Sequence, residues 1–428
     1  MEDNIKQHHF TVVIPTRERC DTLKHSLRTC IMQQYDNLEI IVSDNFSQDH
    51  TREVVEAYQD PRIRYINTGE RISMTDNFEF ALSHVKPEGY IIYIGDDDGL
   101  LPNSIRDINA IIHKTGAEVV RWEPATYIWP GVYRDREPHL TIPSLKSNMI
   151  TRKSSSVIRD VLSFERIFTS LPMIYMRAAV SYKLIRKVKS LSKKFFHSMT
   201  PDVYSGFAIA GSIDNFVDLE RPYGLVGSSK HSNGASATGS SSYKEPFQKY
   251  LSEPNPSFHP SLVFTCSLPL IIVDSFLQAK DELPYFHELE IDKRLLLFKM
   301  MEDTALRAED NYMECKSAVL QLAQMHNLKD AAKQAIEANP MKLPGSSRKV
   351  SLYNIVRACF LLSHQFGSDI QKKSIGVNCA YLDVKNIYDA SLLCHHILGL
   401  HDVNFFGFSS VISSALLRMK RKVEGISK

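Results

Sequence analysis

Between Phe10 and Trp122 the chain alternates short apolar runs with segments of helical periodicity, and this alternation restricts the fold more than any other feature. The runs Phe10 to Ile14 (stopped by Pro15), Leu38 to Val42, Arg62 to Ile66, Tyr90 to Ile94 and Glu118 to Trp122 predict five strands. Between them, Leu23, Leu27, Cys30 and Ile31 fall at helical spacing, with Asp21 as the expected N-cap. Val54, Val55 and Tyr58 mark a second helix, Phe78, Ala81, Leu82 and Val85 a third, and Ile105, Ile108, Ile111 and Ile112 a fourth. Strands alternating with helices of this length predict an α/β fold with a doubly wound, mostly parallel sheet. Such sheets bind ligands at the carboxyl ends of their strands. Those ends carry Pro15-Thr16-Arg17, Ser43-Asp44-Asn45 and Gly95-Asp96-Asp97-Asp98, so polar residues gather where a ligand is expected.

Several function classes drop out at this stage. No Gly-x-Gly-x-x-Gly follows the first strand and no Walker Gly-Lys-Ser/Thr is present, which disfavours dinucleotide and P-loop folds. Lys and Arg number 51 against 49 Asp and Glu, a net charge of +2 without the signature of a nucleic-acid partner. The seven cysteines form no Cys-x-x-Cys pair, which argues against a zinc site or disulfide framework and suits a reducing, cytoplasmic compartment. Met1 to His9 lacks the apolar stretch of a signal peptide, and the apolar window Leu262 to Val273 falls short of the ~20 residues needed to span a bilayer.

The triple acid demands an explanation. Adjacent carboxylates raise one another's pKa unless positive charge compensates. A divalent cation, Mg²⁺ or Mn²⁺, held by one or two carboxylates plus substrate phosphates, is the simplest compensation. The alternative is a solvated acidic turn capping the next helix. Asp44 likewise has two readings, a ribose or base contact and an Asx-turn.

VVIPTRER (12–19), EIIVSDNFSQDHT (39–51), the Asn77 helix and YIIYIGDDDGLLP (90–102) together resemble the family 2 glycosyltransferases with the GT-A fold. The resemblance implies a metal-dependent, inverting transferase of the bacterial surface-polysaccharide type (capsule or O-antigen). It would move a sugar from a nucleotide-sugar donor, a UDP-sugar foremost, to a glycan or lipid-linked acceptor. It assigns Pro15, Thr16, Arg17 and Asp44 to nucleobase and ribose, with Arg71 reaching the base edge. The family's metal-binding acid stands five residues before a proline. Pro102 makes that acid Asp97, with Asp96 for the ribose and Asp98 as a second candidate ligand; Gly95 replaces the usual first Asp of the motif. Which two of the three acids touch the metal stays open. Asp202, in Thr200-Pro201-Asp202-Val203-Tyr204, occupies the family's position for the general base, with a helix N-cap as its bland alternative and Asp214 and Asp218 as weaker rivals. His231 is the expected late metal ligand on a loop over the donor.

Residues 1–240 are thus expected to form the transferase domain, with a nucleotide-binding half at 10–125 and an acceptor half at 125–240. Residues 241–428 are expected to be mostly helical, with periodicity at Ala318 to Ala338 and Ser351 to Leu362. A basic amphipathic tail at 407–424 predicts peripheral contact with the inner face of a membrane, or packing onto the C-terminal domain. The basic segment Arg177 to Lys194 has two readings, an acceptor-phosphate or membrane contact and a solvated helix face. Two rival functions remain: a sugar-nucleotide nucleotidylyltransferase, disfavoured because Pro-Thr-Arg-Glu-Arg is no glycine-rich triphosphate loop, and an inactive glycan-binding or scaffolding module, disfavoured by the retained acids.

Overall fold

The computed structural model describes residues 6–132, 137–231, 253–342, 374–380 and 382–402. The tail at 407–424 and the periodic segment 351–362 lie outside the described residues. The first half of the chain alternates as its hydrophobic pattern requires. In order come β1 (Phe10–Thr16), α1 (Cys20–Ile31), β2 (Leu38–Asp44), α2 (Thr51–Glu56), β3 (Ile63–Asn67), α3 (Met74–Ser83), β4 (Tyr90–Tyr93), β5 (Gly99–Leu100), α4 (Ser104–Thr115) and β6 (Val119–Trp122). Then follow β7 (Ala125–Ile128), β8 (His139–Ile142), β9 (Met149–Lys153), α5 (Ser154–Leu162), β10 (Ala178–Ser181), α6 (Tyr182–Ser192), α7 (Pro201–Gly211), β11 (Asn215–Leu219) and β12 (Gly224–Ser228).

Among the described residues, eight strands form one mixed sheet in the order β3-β2-β1-β4-β10-β6-β11-β9. β1 to β4 run parallel, and β10 enters antiparallel between β4 and β6, whose partner β11 is again parallel. Strands 10–16, 38–44 and 90–93 are buried on both faces, which is why they read as continuous apolar runs. A second sheet, β13-β8-β7-β12-β5, lies alongside, with β13 (Ile375–Asn378) contributed from far down the chain.

Helix boundaries follow local chemistry. Ser73 caps α3 by accepting a hydrogen bond from the Asp76 amide. For α1 the expected cap at Asp21 is corrected: the N-cap position is Arg19, and Asp21 lies in the first turn, where a carboxylate suits the helix dipole. The basic segment forms α6, whose lysines are tied locally. Lys189 pairs with Glu79 at 2.6 Å, Lys183 with Glu118 at 3.3 Å, and Lys187 donates to the Ser212 carbonyl.

Beyond residue 253, α8 (Leu268–Glu282), α9 (Lys293–Thr304), α10 (Glu309–Met325) and α11 (Lys329–Ala338) share an apolar core of Leu296, Met300, Val319 and Leu322. The mostly helical second region is therefore observed. The chain then returns: β13 pairs with β8, and α12 (Ile387–Asp402) packs beside α1 and β5, with Ile387 and Cys394 in a core shared with Tyr127 and Leu140. The six described cysteines are free thiols. No described helix is long and apolar enough to cross a membrane.

α8 joins the helical layer to the sheet domain through α7. Phe276 is fully buried between Phe207 (ring centroids 5.4 Å apart) and Phe286 (5.5 Å). Phe276→Ala leaves a cavity at that seam and is expected to cost about 3–5 kcal/mol, read as a lower denaturation midpoint in urea.

Candidate active site

The carboxyl ends of β1, β2, β4 and β6 lie on one edge of the sheet, and the polar residues singled out from the sequence converge there. The triple acid sits in the turn between β4 and β5 and is buried, with Asp96 2%, Asp97 5% and Asp98 1% exposed. The acidic-turn alternative therefore fails. The next helix starts at a left-handed Asn103 and takes no side-chain cap from any of the acids.

Each acid is held differently. Asp96 accepts from the Thr16 hydroxyl at 2.8 Å and from Arg19 at 3.1 Å. Burial outweighs the Arg19 charge and leaves the Asp96 carboxyl above the ordinary range. Asp98 turns inward: its two oxygens accept from the Gly95 and Gly227 amides, both at 2.8 Å, and the Tyr175 hydroxyl bonds it as well. Burial, with the Asp97 charge beside it, pushes the Asp98 carboxyl up to about 8. Asp97 accepts from Ser229 Oγ at 2.6 Å, and its backbone carbonyl accepts from the Trp129 indole at 3.1 Å.

Two glycines make this packing possible. A Cβ at Gly95 would strike the Tyr175 hydroxyl and lie 2.6 Å from Asp98 Oδ2. The departure from the usual acid at position 95 thus has a steric reason, since the inward-facing Asp98 fills the space. At Gly227 a Cβ would collide with the Asp97 carbonyl and sit 2.8 Å from the Trp129 nitrogen. The acid turn is clamped against β12 by direct backbone approach.

The nucleotide-side residues also converge. Pro15 and Thr16 pair in register with Ser43 and Asp44 across β1 and β2. Asp44 is 1% exposed and accepts from the Ser47 amide (3.0 Å), Ser47 Oγ, Tyr65 Oη (2.6 Å) and Asn67 Nδ2 (3.0 Å). Its local turn-forming role is therefore present in the structure. Asn45 brackets Ile72 through both its amide and its carbonyl, which fixes the loop carrying Arg71. Arg17 and Arg71 meet on one carboxylate, Glu253, at 2.5 and 3.3 Å. The Glu253 side chain is 6% exposed, and its second oxygen is buried without a hydrogen-bond partner.

His231 lies beside the acid turn by its main chain. Its amide donates to Ser229 Oγ at 3.2 Å, and its carbonyl accepts from Arg19 at 2.6 Å. The imidazole is 3.3 Å from Asp21. Among the described residues no group of three or more His, Cys, Asp and Glu converges in a way that could hold a metal ion.

Asp202 stands in the first turn of α7, two residues past the N-cap Thr200, so it is not the cap itself. It is half-buried. Burial raises its carboxyl, opposed by the amides of Val203 and Asp202 and by the Arg177 charge. Arg177 bonds Glu123 at 2.6 Å, beyond the end of β6, and Glu123 bonds Arg121 at 2.6 Å. Of the rivals, Asp218 is consumed by Arg121 (2.6 Å) and Arg152 (2.9 Å). Asp214 is exposed just before β11, at the opposite edge of the sheet.

Sequence reasoning missed Arg19, Tyr175, Gly227, Ser229, Glu253 and the Glu123–Arg177 pair. Arg19 lay within a motif already singled out, Arg177 opens the basic segment and Glu123 follows the fifth predicted strand directly; Tyr175, Gly227, Ser229 and Glu253 are brought in by folding from more than 70 residues away.

Residues 11–167 match the model of Glycosyl transferase family 2. This part of the chain is similar to the members of that family. A Campylobacter jejuni GalNAc(5)-diNAcBac-PP-undecaprenol beta-1,3-glucosyltransferase is 33% identical over 99 residues, 22% of this chain and 32% of that protein. The Streptococcus pneumoniae glycosyltransferase GlyG is 28% identical over 113 residues, 26% of this chain and 37% of that protein. The chain spans about a third of the length of these curated relatives. Among solved structures, S. aureus TarS 1-349 in complex with UDP-GlcNAc aligns with a TM-score of 0.46 at 12% identity, covering 77% of this chain and 91% of that one. The mannosyltransferase PcManGT from Pyrobaculum calidifontis, in complex with GDP-Man and Mn²⁺, aligns at 0.41 and 15% identity, covering 93% and 88%.

The Glu253 contact generates a prediction. Arg17 and Arg71 share one internal counter-charge, and if they hold the nucleotide as the sequence resemblance implies, that nucleotide competes with Glu253 for both guanidinium groups. Glu253→Gln is expected to tighten UDP binding about fivefold, the equivalent of ~1 kcal/mol, as measured by titration calorimetry.

Proposed function

We propose that this chain is a metal-dependent, inverting glycosyltransferase that moves a sugar from a nucleotide-sugar to a glycan or lipid-linked acceptor in bacterial surface-polysaccharide assembly. The observation that carries the reading is convergence. Arg17, Asp44 and Arg71, the clamped acid turn and the Glu123–Arg177 pair acting on Asp202 collect around one edge of a family 2 sheet.

The donor set at the acid turn fits a hard cation held in part by substrate. Asp97, the acid five residues before Pro102, is the one the family motif assigns to Mn²⁺ or Mg²⁺, while Asp96 is engaged by Thr16 and Arg19 and both Asp98 oxygens accept from backbone amides. Such cations are commonly held by one or two carboxylates, with phosphate and water oxygens completing the shell. When bound, the ion offsets charge developing on the departing nucleoside diphosphate. Asp98 acts one step back, fixing the turn through Gly95 and Gly227. The imidazole of His231 lies 3.3 Å from Asp21.

Asp202 is the general base. The acceptor hydroxyl oxygen attacks the anomeric carbon as its proton passes to an Asp202 carboxylate oxygen. The bond from that carbon to the diphosphate oxygen breaks, and the electron pair leaves with the nucleotide. A carboxyl raised by burial is better matched to accepting that proton near neutral pH than a fully solvated one. The PP-undecaprenol-linked glycan in the name of the C. jejuni relative supports a lipid-linked acceptor here.

Two outcomes test the assignment. Asp202→Asn is expected to abolish transfer while UDP binding in Mn²⁺ stays at the wild-type value; full activity with normal expression removes Asp202 from the mechanism. Asp97→Asn is expected to remove the Mn²⁺ enhancement of UDP binding in calorimetry. Asp98→Asn should instead lower the melting temperature, because its contacts are structural.

A further inference from the structure

The turn that leads into α7 is held from the helical layer. Ser198 donates to Asp274 Oδ2 at 3.0 Å, and its hydroxyl lies 3.1 Å from Ser275 Oγ. Thr200 Oγ1 and Ser275 Oγ are 2.7 Å apart, and the Thr200 amide donates to Ser198 Oγ at 3.2 Å. From the sheet domain, Thr75 Oγ1 donates to the Ser198 carbonyl at 2.7 Å. Ser198, Asp274 and Ser275 are all fully buried.

Two features of this cluster are not needed for packing. Thr200 is the N-cap residue of α7, yet its side chain makes no cap hydrogen bond. A capping threonine ordinarily accepts from the second or third amide of its helix. Here the hydroxyl reaches across to α8 instead, and the Asp202 carboxylate bonds the Asp202 and Val203 amides. Asp274 is equally unusual, a carboxylate buried within α8. Burying it costs free energy unless hydrogen bonds compensate, and the donors are Ser198, the His259 amide at 2.8 Å and Gln278 at 3.1 Å. An apolar side chain would fill the same space without that requirement.

We propose that Ser275 and Asp274 are positioning residues for Asp202, which makes the helical layer a working part of the transferase. The inference rests on Asp202 being the general base. Pro201 occupies the first turn of α7, where its ring fixes the backbone, so the placement of Thr200 passes directly to Asp202. A base displaced by about 1 Å can lose on the order of a hundredfold in rate. Two hydroxyls and a buried carboxylate supply that precision across the seam.

The test uses full-length protein with Mn²⁺ and whichever of UDP-glucose, UDP-GlcNAc and GDP-mannose the wild type hydrolyses, and reads release of the nucleoside diphosphate. Ser275→Ala and Thr200→Val are expected to lower kcat about tenfold or more. KM for the donor, the UDP affinity and the melting temperature should stay near wild type, and Thr200→Ser should restore kcat. Asp202→Asn separates the two readings. If it retains full activity, the assignment of the base fails. If it is inactive while Ser275→Ala and Thr200→Val keep wild-type kcat, the positioning role alone is overturned. It is likewise overturned if kcat, donor affinity and melting temperature fall together, which marks a purely structural tie.

Discussion

The ion pair between Arg19 and Asp96 is the interaction on which the rest of the site depends. Three consecutive acids at the end of a buried strand carry more negative charge than a protein interior tolerates unpaired. The compensation expected from sequence was a cation; the structure supplies part of it from the chain itself. Arg19 takes Asp96 and also reaches the His231 carbonyl, so one guanidinium links the acid turn, the start of α1 and the end of β12. Backbone amides from Gly95 and Gly227 take Asp98, and the Ser229 hydroxyl takes Asp97. Burial also raises the Asp96 and Asp98 carboxyls, so the cluster sheds negative charge by protonation as well as by pairing with Arg19.

That arrangement also accounts for the one position where the acid motif departs from the glycosyltransferase pattern it resembles. An aspartate at 95 and the observed orientation of Asp98 exclude one another, because a Cβ at 95 would overlap the Tyr175 hydroxyl and the Asp98 carboxylate. The loss of a carboxylate at the first position is therefore coupled to an inward-turned third one. Asp98 supports the turn through the Gly95 and Gly227 amides.

The sheet was legible because each strand announces itself locally: an apolar run such as Phe10 to Ile14 or Tyr90 to Tyr93 needs only its own residues to be read. The co-location of Arg17, Asp44, Arg71 and the triple acid followed from the rule that strand ends gather on one edge. What stayed hidden is what sequence separation hides. Glu253 reaches Arg17 across 236 positions, and Gly227 meets Asp98 across 129. Local reading also erred where two local roles compete. Asp21 looked like a cap, but the helix begins two residues earlier and frees its carboxylate for Lys230 and His231. The return of β13 and α12 to the sheet domain was equally unreadable, since a four-residue strand such as Ile375–Asn378 carries no signal of its partner.

The seam between the two regions then takes on a meaning that neither has alone. Apolar contacts such as Phe207 on Phe276 would suffice to hold two layers together, and a polar cluster beside them adds desolvation cost rather than stability. Polar clusters earn retention by fixing one geometry among several that apolar packing would allow, a role best argued where a precise geometry is needed. Ser198 and Thr200 are bonded at the entrance to the helix that bears Asp202, and the residues they bond lie on α8. If Asp202 is the base proposed above, the cost is placed where orientation matters, since its geometry toward the acceptor hydroxyl then sets the rate.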